Sequence, residues 1–66
     1  MYHVWHYTED KEFPTSECDC LCRLNKQHDY KYITIHHFEN GDWCSIETGD
    51  LIDVSIIEAW TNLDDI

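Results

Sequence analysis

The chain has 66 residues, with 14 Asp and Glu against four Lys and Arg and a formal net charge of -10. A chain this short forms one domain with little room for a deep active site, so residues 1–66 are expected to make a single small acidic domain that is not an enzyme. The acidity and the lack of a long apolar run argue against direct contact with nucleic acid or a membrane, because phosphate binding needs Lys and Arg.

The first half of the chain predicts short strands separated by polar turns. Residues 2–7 alternate loosely and are rich in aromatic residues, which favours a short strand or a packed arm. Residues 8–17 are polar and contain a Phe-Pro pair, so they predict a loop with at most one helical turn. A strand is expected at 18–24 and a turn at 25–29. Residues 30–38 are the clearest strand, because they are rich in β-branched and aromatic residues.

The second half continues the antiparallel pattern. The Asn-Gly pair at 40–41 predicts a two-residue type I′ turn, since both central residues of that turn need positive φ. A strand at 43–47 and a turn at 48–50 follow. The last segment fits a helix or a strand, and its β-branched residues favour a loop followed by a strand at 55–61. The predicted fold is mainly β, a small antiparallel meander with at most one short helix. Its buried face is expected to carry three isoleucines, Ile33, Ile35 and Ile46.

Four cysteines are present, and three of them fall in the run Cys-Asp-Cys-Leu-Cys at 18–22. Because disulfides are rare in cytoplasmic proteins, a metal site is the favoured interpretation, with buried free thiols as the alternative. Four thiolates complete a closed tetrahedral site, so a structural zinc is expected to stabilise this small domain. The predicted ligands are Cys18, Cys20, Cys22 and Cys44, with His37 as the alternate ligand.

The expected hairpin register supports this site. A two-residue turn at 40–41 would place His37 directly opposite Cys44, with their Cβ atoms ~5 Å apart. The preceding turn would bring Cys18 or Cys20 to the other side of His37. Thiols and one imidazole would then converge near the middle strand. A catalytic pair of Cys44 and His37 is disfavoured, because a chain of this size leaves no room for a substrate pocket.

Acidic residues concentrate in the second half of the chain. Residues 1–38 hold six acids and all four Lys and Arg, whereas residues 39–66 hold eight acids and no base. One interpretation is a solvated surface that keeps the protein soluble. The other is an electrostatic ligand for a basic groove, which would steer association and compete with nucleic acid. The acids predicted to bind a partner are Glu39, Asp42, Glu47, Asp50, Asp53 and Glu58.

Several short motifs follow one another across most of the chain. They are Trp5, Thr-Glu-Asp-Lys at 8–11, Pro14, Phe-Glu-Asn-Gly-Asp-Trp at 38–43, and Ala-Trp at 59–60. This order resembles a family of small uncharacterised phage and prophage proteins. In that family Trp and acids precede a Leu-Pro, two central strands surround a Gly-x-Trp, and a closing strand ends in His-Trp or Ala-Trp. The cysteine run is not part of the family pattern.

By size, acidity and this resemblance, the chain is similar to the anti-CRISPR class, several members of which occupy the basic DNA- or PAM-binding channel of a Cas nuclease. The resemblance implies a DNA mimic that inhibits a Cas9-like nuclease by binding it or its guide-RNA complex. The N-terminus has neither a basic start nor an apolar stretch, so a cytoplasmic location is expected, and the resemblance implies the cytoplasm of a bacterial host. The alternative function is a zinc-stapled adaptor or structural module with no nuclease target.

Overall fold

A computed structural model describes residues 4–65, which form a five-stranded antiparallel sheet. The strands are β1 (His6–Tyr7), β2 (Cys18–Leu24), β3 (Tyr32–His37), β4 (Trp43–Ser45) and β5 (Ile57–Asn62). The helical parts of this region are 3-10 turns of three residues each. None of these turns is long and apolar enough to cross a membrane. The prediction of a mainly β fold is confirmed.

The order of strands across the sheet is β1-β5-β2-β3-β4, so the fold is not the simple meander predicted. β2, β3 and β4 do follow one another as neighbours, but β5 returns to the free edge of β2 and lies between β2 and β1. The physical reason is the burial of β5 on both of its faces, which an edge strand would not achieve. Four of its residues are almost completely buried, namely Ile57, Ala59, Trp60 and Thr61.

The β2–β3 hairpin lies where the sequence predicts it. β2 has the predicted bounds, and β3 is shorter than predicted by two residues at its start and one at its end. The later start of β3 follows from Asp29 and Tyr30, which adopt left-handed φ values of 55° and 54° and therefore belong to the turn. The Asn25 side chain accepts a hydrogen bond from the backbone N–H of Gln27 at 3.1 Å and opens the 3-10 turn at Lys26–His28.

The β3–β4 hairpin corrects the predicted register by one residue. His37 pairs with Trp43 and His36 pairs with Cys44, so the predicted opposition of His37 and Cys44 is wrong. The loop has three residues rather than two, because the N–H of Gly41 donates to the carbonyl of Phe38 at 2.9 Å. Gly41 has a φ of 97°, whereas Asn40 has no positive φ. This is the three-residue loop in which glycine takes the left-handed position after a type I turn.

The core lies on one face of the sheet. Its buried cluster consists of Cys20, Cys22, Leu24, Ile35, Trp43, Ile57 and Trp60. Of the three predicted isoleucines, Ile35 is fully buried and Ile33 is half-buried against the cluster. Ile46 is 49% exposed, contrary to the prediction. The reason is that β4 ends at Ser45, where the N–H of Gly49 donates to the Ser45 carbonyl at 2.8 Å and turns the chain.

The first described residues cover the outer edge of β5. β1 is limited to His6–Tyr7, a shorter element than predicted, and positions 2 and 3 of the predicted arm lie outside the described residues. The predicted helical turn after it is confirmed as a 3-10 turn at Thr8–Asp10. The Thr8 hydroxyl donates to the carbonyl of Ile57 at 2.6 Å, which fixes the start of β5. The prediction of a loop followed by a strand for the last segment is confirmed, but the strand runs from Ile57 to Asn62 rather than over 55–61, because residues 54–56 form a 3-10 turn.

Candidate functional site

The four cysteines lie on opposite faces of the sheet. Cys18 and Cys20 alternate with Asp19 along β2, and they point to the core face together with Cys22. Asp19 pairs with His36, and His36 pairs with Cys44, so these three residues share the other face. The fold therefore does not bring Cys44 to the other three thiols.

The predicted zinc ligands consequently do not form one set. Within residues 4–65, no group of three or more His, Cys, Asp or Glu side chains is arranged to hold a metal ion. His37 does lie directly opposite Cys18, as the sequence predicts. Its ring is buried against the edge of Trp43, and its Nδ1 lies 3.2 Å from the carbonyl oxygen of Ser16. Zinc stays a prediction.

The two fully buried thiols, Cys20 and Cys22, are poor nucleophiles. Burial raises the pKa of Cys22 to about 12, and burial together with the Cys18 thiol raises that of Cys20 well above its usual range. Cys44 is on the other face, where its Sγ donates to the carbonyl of Gly49 at 3.2 Å. The disfavoured catalytic pair of Cys44 and His37 is thus separated by the sheet.

Five of the six predicted partner-binding acids lie on two exposed connections. We call residues 38–42 and 46–53 the acidic loops. The carboxylates on these loops that were predicted to bind a partner belong to Glu39, Asp42, Glu47, Asp50 and Asp53. None of them forms an ion pair with a Lys, Arg or His of residues 4–65. The loops are closed by short backbone hydrogen bonds, such as Ile52 N–H to Trp43 carbonyl at 2.7 Å and Ser45 N–H to Asp50 carbonyl at 2.8 Å. The carboxylates are therefore displayed from fixed backbone.

The two acidic loops meet in an open cleft of about 430 Å³. Its lining residues, which we call the acidic cleft, are Gly41, Asp42, Trp43, Leu51, Ile52, Asp53 and Val54. Leu51 is 71% exposed and Val54 is 37% exposed, so the walls are apolar and open to solvent. Two carboxylates thus border an apolar surface, an arrangement that suits the aliphatic stem and the charged end of a Lys or Arg side chain.

Internal hydrogen bonds orient both carboxylates of the acidic cleft. The backbone N–H of Ser55 donates to Asp53 Oδ1 at 3.0 Å, and this bond lowers the pKa of Asp53 below its ordinary value. The side-chain amide of Asn40 donates to Asp42 Oδ2 at 3.3 Å, while the backbone N–H of Asp42 donates to Asn40 Oδ1 at 2.9 Å. The negative charges are held in place before any partner arrives.

The sixth predicted acid, Glu58, belongs to the fold rather than to the acidic loops. It lies on β5 and accepts a hydrogen bond from Arg23 Nε at 2.9 Å. The Arg23 guanidinium also lies 5.9 Å from the ring centroids of Trp5 and of Tyr7. Glu58 is therefore paired with Arg23, whose guanidinium also lies over two aromatic rings. Glu58 is not available as an unpaired charge.

The apolar residues of the acidic cleft were not predicted as part of a binding site. Leu51 and Val54 precede the predicted strand at 55–61 and received no functional role, whereas both are exposed beside Asp42 and Asp53. A usable signal was present in Asp53-Val54-Ser55, since an Asp two residues before a Ser N–H commonly starts a turn. Such a turn indicates an exposed connection at 53–55.

Comparisons with family models, curated proteins and solved structures found no match. The resemblance to small phage proteins therefore depends on the quoted motifs alone. Two of those motifs are structural here, since Trp43 and Trp60 are both buried in the core. The exposed features of the described residues that can bind a partner are the acidic cleft and the acidic loops.

Proposed function

We propose that this protein is an acidic binding protein that docks its acidic loops into the basic nucleic-acid channel of a protein partner. The observation that carries the proposal is the acidic cleft, where Asp42 and Asp53 border an apolar wall without a cation partner in residues 4–65. Carboxylates displayed in this way present the same charge as phosphates to a groove of Lys and Arg.

The chemistry of the acidic cleft favours one long basic side chain of the partner. The stem of a Lys or Arg would pack against Leu51 and Val54, and its charged end would reach Asp42 or Asp53. Both carboxylates are already oriented by internal hydrogen bonds. Binding therefore costs less side-chain ordering than it would for freely rotating acids.

We favour a Cas9-like nuclease, or its guide-RNA complex, as the partner. Such a nuclease reads the PAM with arginines and holds nucleic acid in a positively charged channel. A protein with five loop carboxylates that form no ion pair within residues 4–65 would occupy that channel and block the loading of target DNA. The supports are the charge distribution and the resemblance to small phage proteins. The predicted structural zinc takes no part in this mechanism.

Target-DNA binding by a Cas9–guide RNA complex tests the proposal. The test variant neutralises the acidic loops with E39Q, D42N, E47Q, D50N and D53N. The matched control removes the same number of charges from the first half with E9Q, D10N, E12Q, E17Q and D19N. We expect the wild type and the control to displace target DNA, and the loop variant to lose this effect. Equal displacement by the loop variant would overturn charge mimicry.

The second candidate function is an adaptor that binds a partner through apolar contacts. The observation that favours it is the exposure of Leu51, Ile46 and Val54, at 71%, 49% and 37%, on or beside the acidic loops. An adaptor of this kind would keep its affinity at high salt, whereas a phosphate mimic would lose affinity steeply. A double variant, L51S and V54S, would weaken an adaptor more than the five neutralised acids would.

A further inference from the structure

Two thiols of β2 touch each other beside the surface of the protein. Cys18 Sγ lies 3.5 Å from Cys20 Sγ, and both side chains are on the core face of the sheet. Residues two apart on a strand have Cβ atoms ~7 Å apart, so these side chains must lean toward each other to bring the sulfurs into contact. Cys18 is half-buried and Cys20 is fully buried, so the pair is reached from solvent at Cys18.

The strand geometry disfavours a disulfide between the two sulfurs. A disulfide needs Cβ atoms about 3.5–4.5 Å apart, which a strand does not offer to residues two apart. An ion held between two sulfurs makes no such demand, because it lengthens the bridge by two metal–sulfur bonds. The pair Cys18 and Cys20 is therefore better suited to chelating an ion than to forming a covalent bond between the sulfurs.

The number of thiols at this point selects the kind of ion. Zinc takes four ligands, and residues 4–65 hold no group of three or more His, Cys, Asp or Glu side chains placed for a metal. Monovalent copper is a soft ion with a filled d shell, prefers thiolates, and is satisfied by two of them. A contact between two thiols meets the preference of monovalent copper for two thiolate ligands, whereas a tetrahedral zinc site would need two further ligands at the same place.

We propose that Cys18 and Cys20 form a two-thiolate chelate for monovalent copper. Binding forms two Cu–S bonds and releases two protons to solvent, one from each thiol, without a change in the oxidation state of the metal. This site is independent of the acidic loops, since Cys18 and Cys20 lie on β2 and the loops flank β4. Failure of one proposal therefore leaves the other standing.

An anaerobic titration of the reduced full-length protein with the Cu(I)–bicinchoninate complex tests the site, with native mass spectrometry as the second readout. We expect one copper per chain for the wild type and for Cys44→Ser, because position 44 lies on the other face of the sheet. Cys18→Ser should weaken copper binding by at least about tenfold, one decade being ~1.4 kcal/mol. Undiminished copper binding by Cys18→Ser would overturn the proposal, as would its loss in Cys44→Ser.

A measurement on the wild type keeps the test decisive if Cys18→Ser does not fold. Copper should slow alkylation of Cys18 by iodoacetamide and leave the alkylation rate of Cys44 unchanged, as read by peptide mass spectrometry. Equal rates at Cys18 with and without copper would contradict the chelate. A parallel titration with Zn(II) that binds one ion and requires Cys44 would show a rearranged four-cysteine site and would also overturn it.

Discussion

The two halves of the chain hold their carboxylates in different ways. In the first half, Glu12 lies 2.9 Å from His6 Nδ1, and Asp19 and Glu17 lie 2.6 and 3.7 Å from the ring nitrogens of His36. Each of these contacts joins residues that are close on the sheet or in its connecting loop. These three acids of the first half therefore contribute to local structure.

The second half behaves differently. Among its described acids only Glu58 forms an ion pair, and its partner Arg23 comes from the first half. The acids of the acidic loops face solvent and repel one another, which costs stability. Folding does not explain their number or their fixed display. This protein therefore has two groups of carboxylates. One group contacts His or Arg side chains and stabilises the sheet, and the other faces solvent on the acidic loops.

Removing the core beneath the acidic cleft should produce the largest loss of stability. Trp43 is 5% exposed and contacts both the core and the cleft, so Trp43→Ala should lower the free energy of unfolding by about 3–5 kcal/mol. The matched variant Leu51→Ala removes the exposed wall of the same cleft and should change it by less than about 0.5 kcal/mol. Urea unfolding measures both. Similar losses would show that Leu51 is part of the core.

Breaking the ion pair between Arg23 and Glu58, which joins the two halves, should have a smaller effect. Arg23→Met keeps the aliphatic stem and removes the charge beside Glu58, Trp5 and Tyr7. Because the side chains of Arg23 and Glu58 are 27% and 35% exposed, we expect a loss of only about 1 kcal/mol in urea unfolding. The control, Glu47→Gln, should be neutral. An unchanged free energy of unfolding in Arg23→Met would show that Glu58 is not one of the acids that stabilise the sheet.

Neutralising the acidic loops should leave the fold intact or slightly strengthen it. The five-site loop variant relieves repulsion, so its free energy of unfolding should be equal to that of the wild type or higher by less than about 1 kcal/mol. The gain should shrink as salt screens the charges. The five-site control of the first half loses the partners of His6 and His36 and should be less stable than the wild type. The opposite ranking would contradict the division of charge.

The smallest effect concerns the titration of His36. The hydrogen bond from its ring to Asp19 raises its pKa above the ordinary value, so Asp19→Asn should lower the pKa measured by NMR, whereas Glu39→Gln should not. A raised pKa in the folded state means that this contribution to stability is present below pH ~6.5 and is lost as pH rises through the folded pKa. An unchanged pKa in Asp19→Asn would show that the contact does not persist in solution.

Local signals in the sequence predicted most of the strands but not their order. β2, β3 and β5 follow from alternation and β-branched residues, which report local preference. The place of β5 between β1 and β2 depends on contacts far apart in sequence, such as Cys22 with Trp60, which no local pattern encodes.

The candidate metal site shows how a small error in register changes a functional prediction. The turn at Asn40-Gly41 was located correctly, but its loop is longer by one residue, which moves Cys44 to the opposite face from His37. The acidic loops did not depend on register, because charge on an exposed turn needs only the position of the turn. Charge could therefore be predicted better than side-chain convergence.

The salt dependence of binding to a Cas9–guide RNA complex tests the central claim most directly. Affinities of the wild type, the loop variant and the first-half control would be measured by fluorescence anisotropy between about 50 and about 200 mM salt. If the acidic loops bind the basic channel, the wild type and the control should lose at least about tenfold in affinity over this range. The loop variant should bind weakly and with little salt dependence. A loop variant with the affinity and salt dependence of the wild type would contradict the claim.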